Sequence, residues 1–351
     1  MPKYRIGCSG FLYDSWKGAF YPDNLPHKYW LTFYMQKFNT VELNVTFYRL
    51  LKKEAFERWY KDTPPEFSFS LKGSRFITHV KKLKDVELPL STFFNATAPL
   101  MEKLEVVLWQ LPPNLKLNMT NLEDFIDNIK VYPVRHVFEF RHKTWLSKKV
   151  LKLLAASNIA VCMADWPEFI DDLPVTADFV YLRRHGEGGS FATNYSPEQL
   201  KQDAKRIKEY LKMGKDVYFY FNNDAFAYAP KNAIELKAIL DNMLPKSVLD
   251  QLDNKKKPGK KKVAKKKTVK KAASKAASKV AKKIAKKVAE KAKKKAAKKK
   301  AAKKSTKKAV KKTTKKSAKK TAKKPVKTKS AKKKAVKKAA KKTTKKKTKK
   351  K

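Results

Sequence analysis

The sequence has 351 residues, a formal charge of +55 and two cysteines. Cys8 and Cys162 are too few for a disulfide framework, which points to a reducing compartment, and no apolar run approaches the roughly 18 residues of a membrane span. Nor is the charge that of a uniformly basic globule: Lys255–Lys351 alone hold 51 Lys, no Arg and one acid, Glu290, a local charge of +50.

The remaining +5, every aromatic residue, all five His and both Cys lie before residue 255. The chain therefore divides into a near-neutral globular domain over residues 1–250 and a Lys/Ala-rich tail over 251–351. Tyr4-Arg5-Ile6-Gly7-Cys8 is already strand-like, with no charged segment and apolar run before it. No signal peptide is expected, and the expected location is cytoplasmic.

Taken in order, the globular part offers a strand at Tyr4–Ser9 and a helix at His27–Phe38, then a strand at Thr40–Asn44 with a helix at Glu54–Lys61. Strand Glu66–Lys72 precedes a helical segment Leu88–Lys103. Strand Leu104–Leu111 is stopped by Pro112-Pro113 before helix Asn121–Lys130. Strands Arg135–Arg141 and Ile159–Ala164 flank helix Ser147–Ser157. After a loop with two prolines come strand Asp178–Arg183, helix Pro197–Met213, strand Asp216–Phe221 and helix Lys231–Asp241. Regular strand–helix alternation at this count and length predicts an α/β fold, a (β/α)8 barrel of the TIM type. The crossover after the sixth strand has the least helical character.

Such barrels place their sites at the C-terminal ends of the strands. In Phe138-Glu139-Phe140-Arg141 the period of two sends the Phe residues one way, and Glu139 and Arg141 the other. The same rule selects Glu42, Asn44, Lys72, Gln110, Asp165, Arg183, His185 and Asn222.

The residues at these strand ends also carry a resemblance. They are Gly7-Cys8-Ser9-Gly10, Phe20-Tyr21-Pro22, Phe38–Asn44, Lys72 with Ile77-Thr78-His79, Gln110–Pro113, Phe138–His142 with Trp145, Tyr181–Arg183 with His185-Gly186, and Phe221-Asn222-Asn223. Over residues 4–240 the chain resembles the YecE-like family of TIM barrels, a domain-of-unknown-function family. It departs from the pattern at Phe11, where Trp is expected, and at Lys143, where Pro is usual. The resemblance implies the barrel and supplies no established reaction.

Glu139, Glu42 and Asp165 are candidate acid/base groups, because carboxylates sharing one cavity acquire separated pKa values. The bland alternative pairs them with Arg141 and Arg183 as structural ion pairs. His185 and His79 are candidates because imidazole titrates nearest neutrality. Asn44, Lys72, Gln110, Arg141, Arg183, Asn222 and Asn223 form the expected ligand-binding set, with fork-like donors suited to phosphate or carboxylate. Tyr13, Trp16, Tyr48 and Trp145 are aromatics that could line the mouth. There is no His-x-x-x-His or Cys-x-x-Cys pair, so no metal ligand set is assigned and no cofactor is expected.

The tail repeats Ala-Lys-Lys and Lys-Lys-Thr units, resembles in composition the tails of linker histones, cannot bury a core and is expected to be disordered. Its expected partner is nucleic acid, bound without base reading, which implies nucleoid association. Two functions remain open at this point. One is an enzyme, hydrolytic or phosphate-ester directed, tethered to nucleic acid by its tail. The other is a non-enzymatic ligand-binding or nucleoid-associated DNA-binding protein.

Overall fold

The computed structural model describes residues 2–166 and 173–245, so the tail and its expected disorder lie outside the described residues. Among them are eight strands: β1 (Tyr4–Cys8), β2 (Thr40–Leu43), β3 (Ser68–Lys72), β4 (Leu104–Gln110), β5 (Arg135–Glu139), β6 (Ala160–Ala164), β7 (Phe179–Arg184) and β8 (Asp216–Phe221). All pair in parallel, in the order β1-β8-β7-β6-β5-β4-β3-β2. This is the expected TIM-like barrel, nearly closed.

Helices occupy most of the crossovers. They are α1 (Trp30–Tyr34), α2 (Val45–Tyr48), α3 (Lys53–Asp62), α4 (Glu87–Thr97), α5 (Met119–Ile129), α6 (Lys148–Ala156), α7 (Pro197–Lys212) and α8 (Tyr228–Met243). Side chains cap several: Asn118 starts α5, Ser147 starts α6, and Ser196 with Gln199 forms a reciprocal capping box on α7. Between β6 and β7 the described residues include no helix, and residues 167–172 of that crossover lie outside them.

Strand parity sorts the core into two layers. Val107, Trp109, Phe138, Phe140, Val180, Leu182, Phe219 and Phe221 pack outward against the helices. Val106, Leu108, Val137, Cys162, Phe179, Tyr181, Tyr218 and Tyr220 fill the barrel. Both faces of the strands are covered, which is why their sequences are apolar almost throughout.

Polar groups inside the barrel are matched level by level. Near the N-terminal ends, Glu105 accepts from Lys3, Arg5 and the Tyr218 hydroxyl at 2.8, 3.0 and 2.6 Å. Burial alone would raise the Glu105 carboxyl, but Arg5 and Lys3 outweigh it and bring it down to about 2. One level up, Tyr220 joins the Thr40 and Ser70 hydroxyls at 2.7 and 2.9 Å.

The seam between β1 and β2 has no strand ladder and is closed by side chains. The Tyr34 hydroxyl accepts from the Cys8 N–H at 2.9 Å and donates to the Thr40 carbonyl at 3.0 Å. Gly7 permits the approach, since a Cβ there would lie 2.6 Å from that carbonyl. Among the described residues no helix is long and apolar enough to cross a membrane.

Candidate functional site

Above these levels, at the C-terminal ends of the strands, the inward residues are charged. Arg183 on β7 is fully buried and reaches across the barrel to carboxylates on two other strands. It donates from Nη2 to Glu42 Oε1 at 2.7 Å and from Nη1 to Glu139 Oε2 at 2.6 Å. Tyr181 donates to the second Glu42 oxygen at 2.6 Å. Glu139 also accepts from Gln110 at 2.9 Å, its register partner on β4, and pairs with Arg141 Nη2. Burial works against ionisation of Glu139, yet Arg183 and Arg141 outweigh it and hold its carboxyl well below the ordinary range.

This network is the floor of a cavity of about 630 Å³. Of the residues the sequence singled out, Asn44, Lys72, His79, Gln110, Arg141, His185 and Asn222 line it. Glu42, Glu139 and Arg183 lie beneath, joined to one another. Asp165 sits behind the site, accepting from the His185 N–H at 2.7 Å and from the Tyr195 hydroxyl. Asn223 turns away, donating to the Thr193 carbonyl at 2.8 Å and to Asn232 at 2.9 Å. Asn44 donates to the Ser9 carbonyl at 3.1 Å and so ties the rim to the barrel seam.

Arg141 is the group at which floor and cavity meet. Its residue is 7% exposed, and its Nη2 is spent on Glu139 and on His185 Nε2 at 3.2 Å. Its Nε and Nη1 are buried with no hydrogen-bond partner among the described residues. Unpaired buried donors are costly, and this guanidinium carries two that no described residue satisfies. The Trp166 ring stacks on the guanidinium with its centroid 4.0 Å away.

Lys72 makes no ion pair among the described residues, and its Nζ lies 4.4 Å from the Phe47 ring centroid. Burial, then the Arg183 charge, brings its pKa down to about 8. The two candidate imidazoles differ. His185 is committed at both nitrogens, Nε2 to Arg141 and Arg183 at 3.2 Å each, Nδ1 to the Asn222 amide at 3.0 Å. Burial and the Arg183 charge lower its pKa. His79 meets the Thr78 hydroxyl at Nδ1, 2.9 Å, and its Nε2 has no partner among the described residues. Burial, Lys72 and Arg75 take its pKa down to about 4.

Sequence reasoning did not select Asp224, Arg75, Phe47, Trp166 or Phe191, which also line the cavity. Asp224 Oδ1 is buried beside Tyr13 with no hydrogen-bond partner among the described residues, and burial pushes its carboxyl up to about 8. Phe47 lies in α2 and the others outside the strands, where no period of two points to them; position just after a strand was their one available signal. Of the four aromatics proposed for the mouth, Tyr13 and Tyr48 reach it. Trp16 and Trp145 do not: both are buried, and Trp145 stacks on Phe140 at 5.2 Å. Among the described residues no three His, Cys, Asp or Glu side chains are grouped as metal ligands.

Residues 5–258 match the family described as "Protein of unknown function DUF72", and the chain belongs to that family. It is 24% identical to the UPF0759 protein YunF of Bacillus subtilis over 257 residues, covering 64% of this chain and 90% of that protein. The UPF0759 protein YecE of Escherichia coli K12 is 28% identical over 116 residues, 33% of this chain and 42% of that one. A crystal structure of a DUF72 family protein from Thermotoga maritima is similar at 30% identity and a TM-score of 0.62, over 68% of this chain and 99% of that chain. Another, from Enterococcus faecalis, has a TM-score of 0.59 at 19% identity, over 68% of this chain and 95% of that one, a likeness of fold alone.

Proposed function

We propose that this DUF72 barrel binds a small anionic ligand, a phosphate ester or carboxylate, at its C-terminal mouth. The observation that carries the reading is Arg141, held from below by Glu139 while Nε and Nη1 have no partner among the described residues, in the cavity that Lys72 also lines. A fixed guanidinium with spare donors loses little freedom on meeting an oxyanion.

For an ester ligand, the reaction class that suits these groups is hydrolysis. His79, neutral near pH 7, takes a proton from water through Nε2 as the hydroxide adds to phosphorus. Asp224, protonated below about pH 8, gives its proton to the departing alkoxide as the P–O ester bond breaks. Glu42, Glu139, Arg183 and His185 position Arg141 in this scheme, and Asp165 positions His185.

The test is calorimetric titration of the chain with inorganic phosphate. Because 51 tail lysines also attract anions, the informative quantity is the difference between the native chain and Arg141→Met. The expected result is a saturable one-to-one component that the variant weakens by roughly tenfold or more. A titration that shows only the weak, salt-dependent tail component in both proteins refutes the reading. Circular dichroism on the same samples establishes that the variant is folded.

The lysine run supports a second role. Lys255–Lys351 is dense enough in charge to bind nucleic acid through phosphates alone, and its lack of Arg and aromatic residues argues against base reading. In this reading the tail holds the barrel on nucleic acid, and in the cell with the nucleoid.

A further inference from the structure

Anion binding leaves one feature of the mouth unused, its aromatic walls. Phe47 and Tyr48 follow β2, while Trp166 and Phe191 follow β6 and β7, on the opposite side of the barrel in the strand order. All four line the one cavity. Phe47 and Tyr48 meet edge to face at 5.0 Å, and Trp166 lies 6.5 Å from Phe191. Tyr48 is 71% exposed and Phe191 41%, so rings of this size present open faces to the cavity rather than to the core. The walls run directly into the cationic floor, through Lys72 against Phe47 on one side and Arg141 against Trp166 on the other.

Deepening the anion-site reading, on which this rests, we propose that the ligand is a phosphate monoester of a flat aromatic or heteroaromatic group. Its phosphate meets Lys72 and Arg141, and its ring lies between the Tyr48 and the Trp166–Phe191 walls. Charge selects the dianion over a single carboxylate. Glu42 and Glu139 balance Arg183 and Arg141, Lys72 and Arg75 make no ion pair among the described residues, and the Asp224 carboxyl in the same cavity stays protonated below about pH 8. Size agrees, because about 630 Å³ lies within the range of pockets that enclose small ligands. Rings stacked on one or two aromatic faces gain on the order of tenfold in affinity.

The experiment titrates the full chain at fixed ionic strength with inorganic phosphate, glycerol phosphate, phenyl phosphate and benzoate, with Arg141→Met subtracting the tail's contribution. Phenyl phosphate is expected to bind roughly tenfold tighter than glycerol phosphate, and benzoate more weakly than either. Tyr48→Ala, a change at an exposed ring, is expected to cost phenyl phosphate about tenfold more than it costs glycerol phosphate. Equal affinities for phenyl and glycerol phosphate overturn the proposal while leaving the anion site standing, as does benzoate matching phenyl phosphate. A ring advantage that survives both Tyr48→Ala and Phe191→Ala overturns the placement of the walls. If none of the four binds beyond the Arg141→Met background, the anion site itself is refuted and this proposal goes with it.

Discussion

Replacing Glu139 by Gln is the most direct probe of the site's foundation. The carboxylate accepts from Arg183 Nη1 at 2.6 Å and from Gln110 at 2.9 Å, pairs with Arg141, and is fully buried. Gln keeps the shape and one acceptor, but turns an N–H2 toward one of the two guanidinium groups and leaves the buried cations short of one negative charge. Removing one partner from a buried, hydrogen-bonded ion pair costs roughly 3–5 kcal/mol. At roughly 2–4 °C per kcal/mol for a domain of this size, the melting temperature should fall by ~6–20 °C. Differential scanning calorimetry at neutral pH measures this. The pH dependence carries a sign as well. The folded-state pKa of Glu139 is depressed, so its contribution is fully present above the unfolded value of about 4.3 and is lost as pH falls through the folded pKa. The gap between native and variant melting temperatures should therefore be constant from pH 8 to about 5 and narrow only in strong acid. A variant that melts within ~2 °C of the native chain at neutral pH would refute the view that Arg183 and Arg141 depend on this carboxylate.

Two further outcomes follow from the charges of the site. Phosphate affinity should weaken above about pH 8, where Lys72 loses its proton and Asp224 loses its own. Lys72→Met and Asp224→Asn should each flatten part of that fall, while His79, neutral from about pH 4 upward, should leave it unchanged. An affinity independent of pH between 7 and 9 counts against Lys72 as a ligand group. For the tail, if on the order of 10 lysines meet phosphates at once, log K on duplex DNA should fall against log salt with a slope of roughly −9. Residues 1–254 alone should lose nearly all of that slope, and equal affinity without the tail removes the tethering idea.

Much of the architecture was legible because strand parity is a strong physical constraint. With Phe138 and Phe140 committed to the helix layer, Glu139 had to point into the barrel, and the register that sets Gln110 opposite it followed from strand order. The same rule located Lys72, Arg141 and His185 around one mouth. Parity gives direction but not height. Whether an inward side chain lines the cavity or lies under it depends on how far its neighbours reach. Arg183 is long enough to cross to Glu42 and Glu139, which places all three in the floor. Loop residues were illegible for another reason: Asp224, Arg75 and Phe191 have no period to read, and Trp16 and Trp145 show that a loop aromatic can as easily fold back into the core.

The two layers of charge at the mouth explain each other. A barrel that buries Glu42, Glu139 and Arg183 accepts a large desolvation cost that apolar residues of similar volume would avoid. What it gains is a rigid acceptor, Glu139, fixed from below by Arg183 and from the side by Gln110. Arg141 binds to that acceptor through Nη2 alone, and Trp166 covers its face, so the guanidinium has little freedom to turn. Its remaining N–H groups are thereby fixed in direction. Lys72 makes no ion pair among the described residues, and burial, then the Arg183 charge, lowers its pKa. One cation is held in place and the other is left uncompensated. An oxyanion bound between them would satisfy the donors of the first and restore the charge balance of the second.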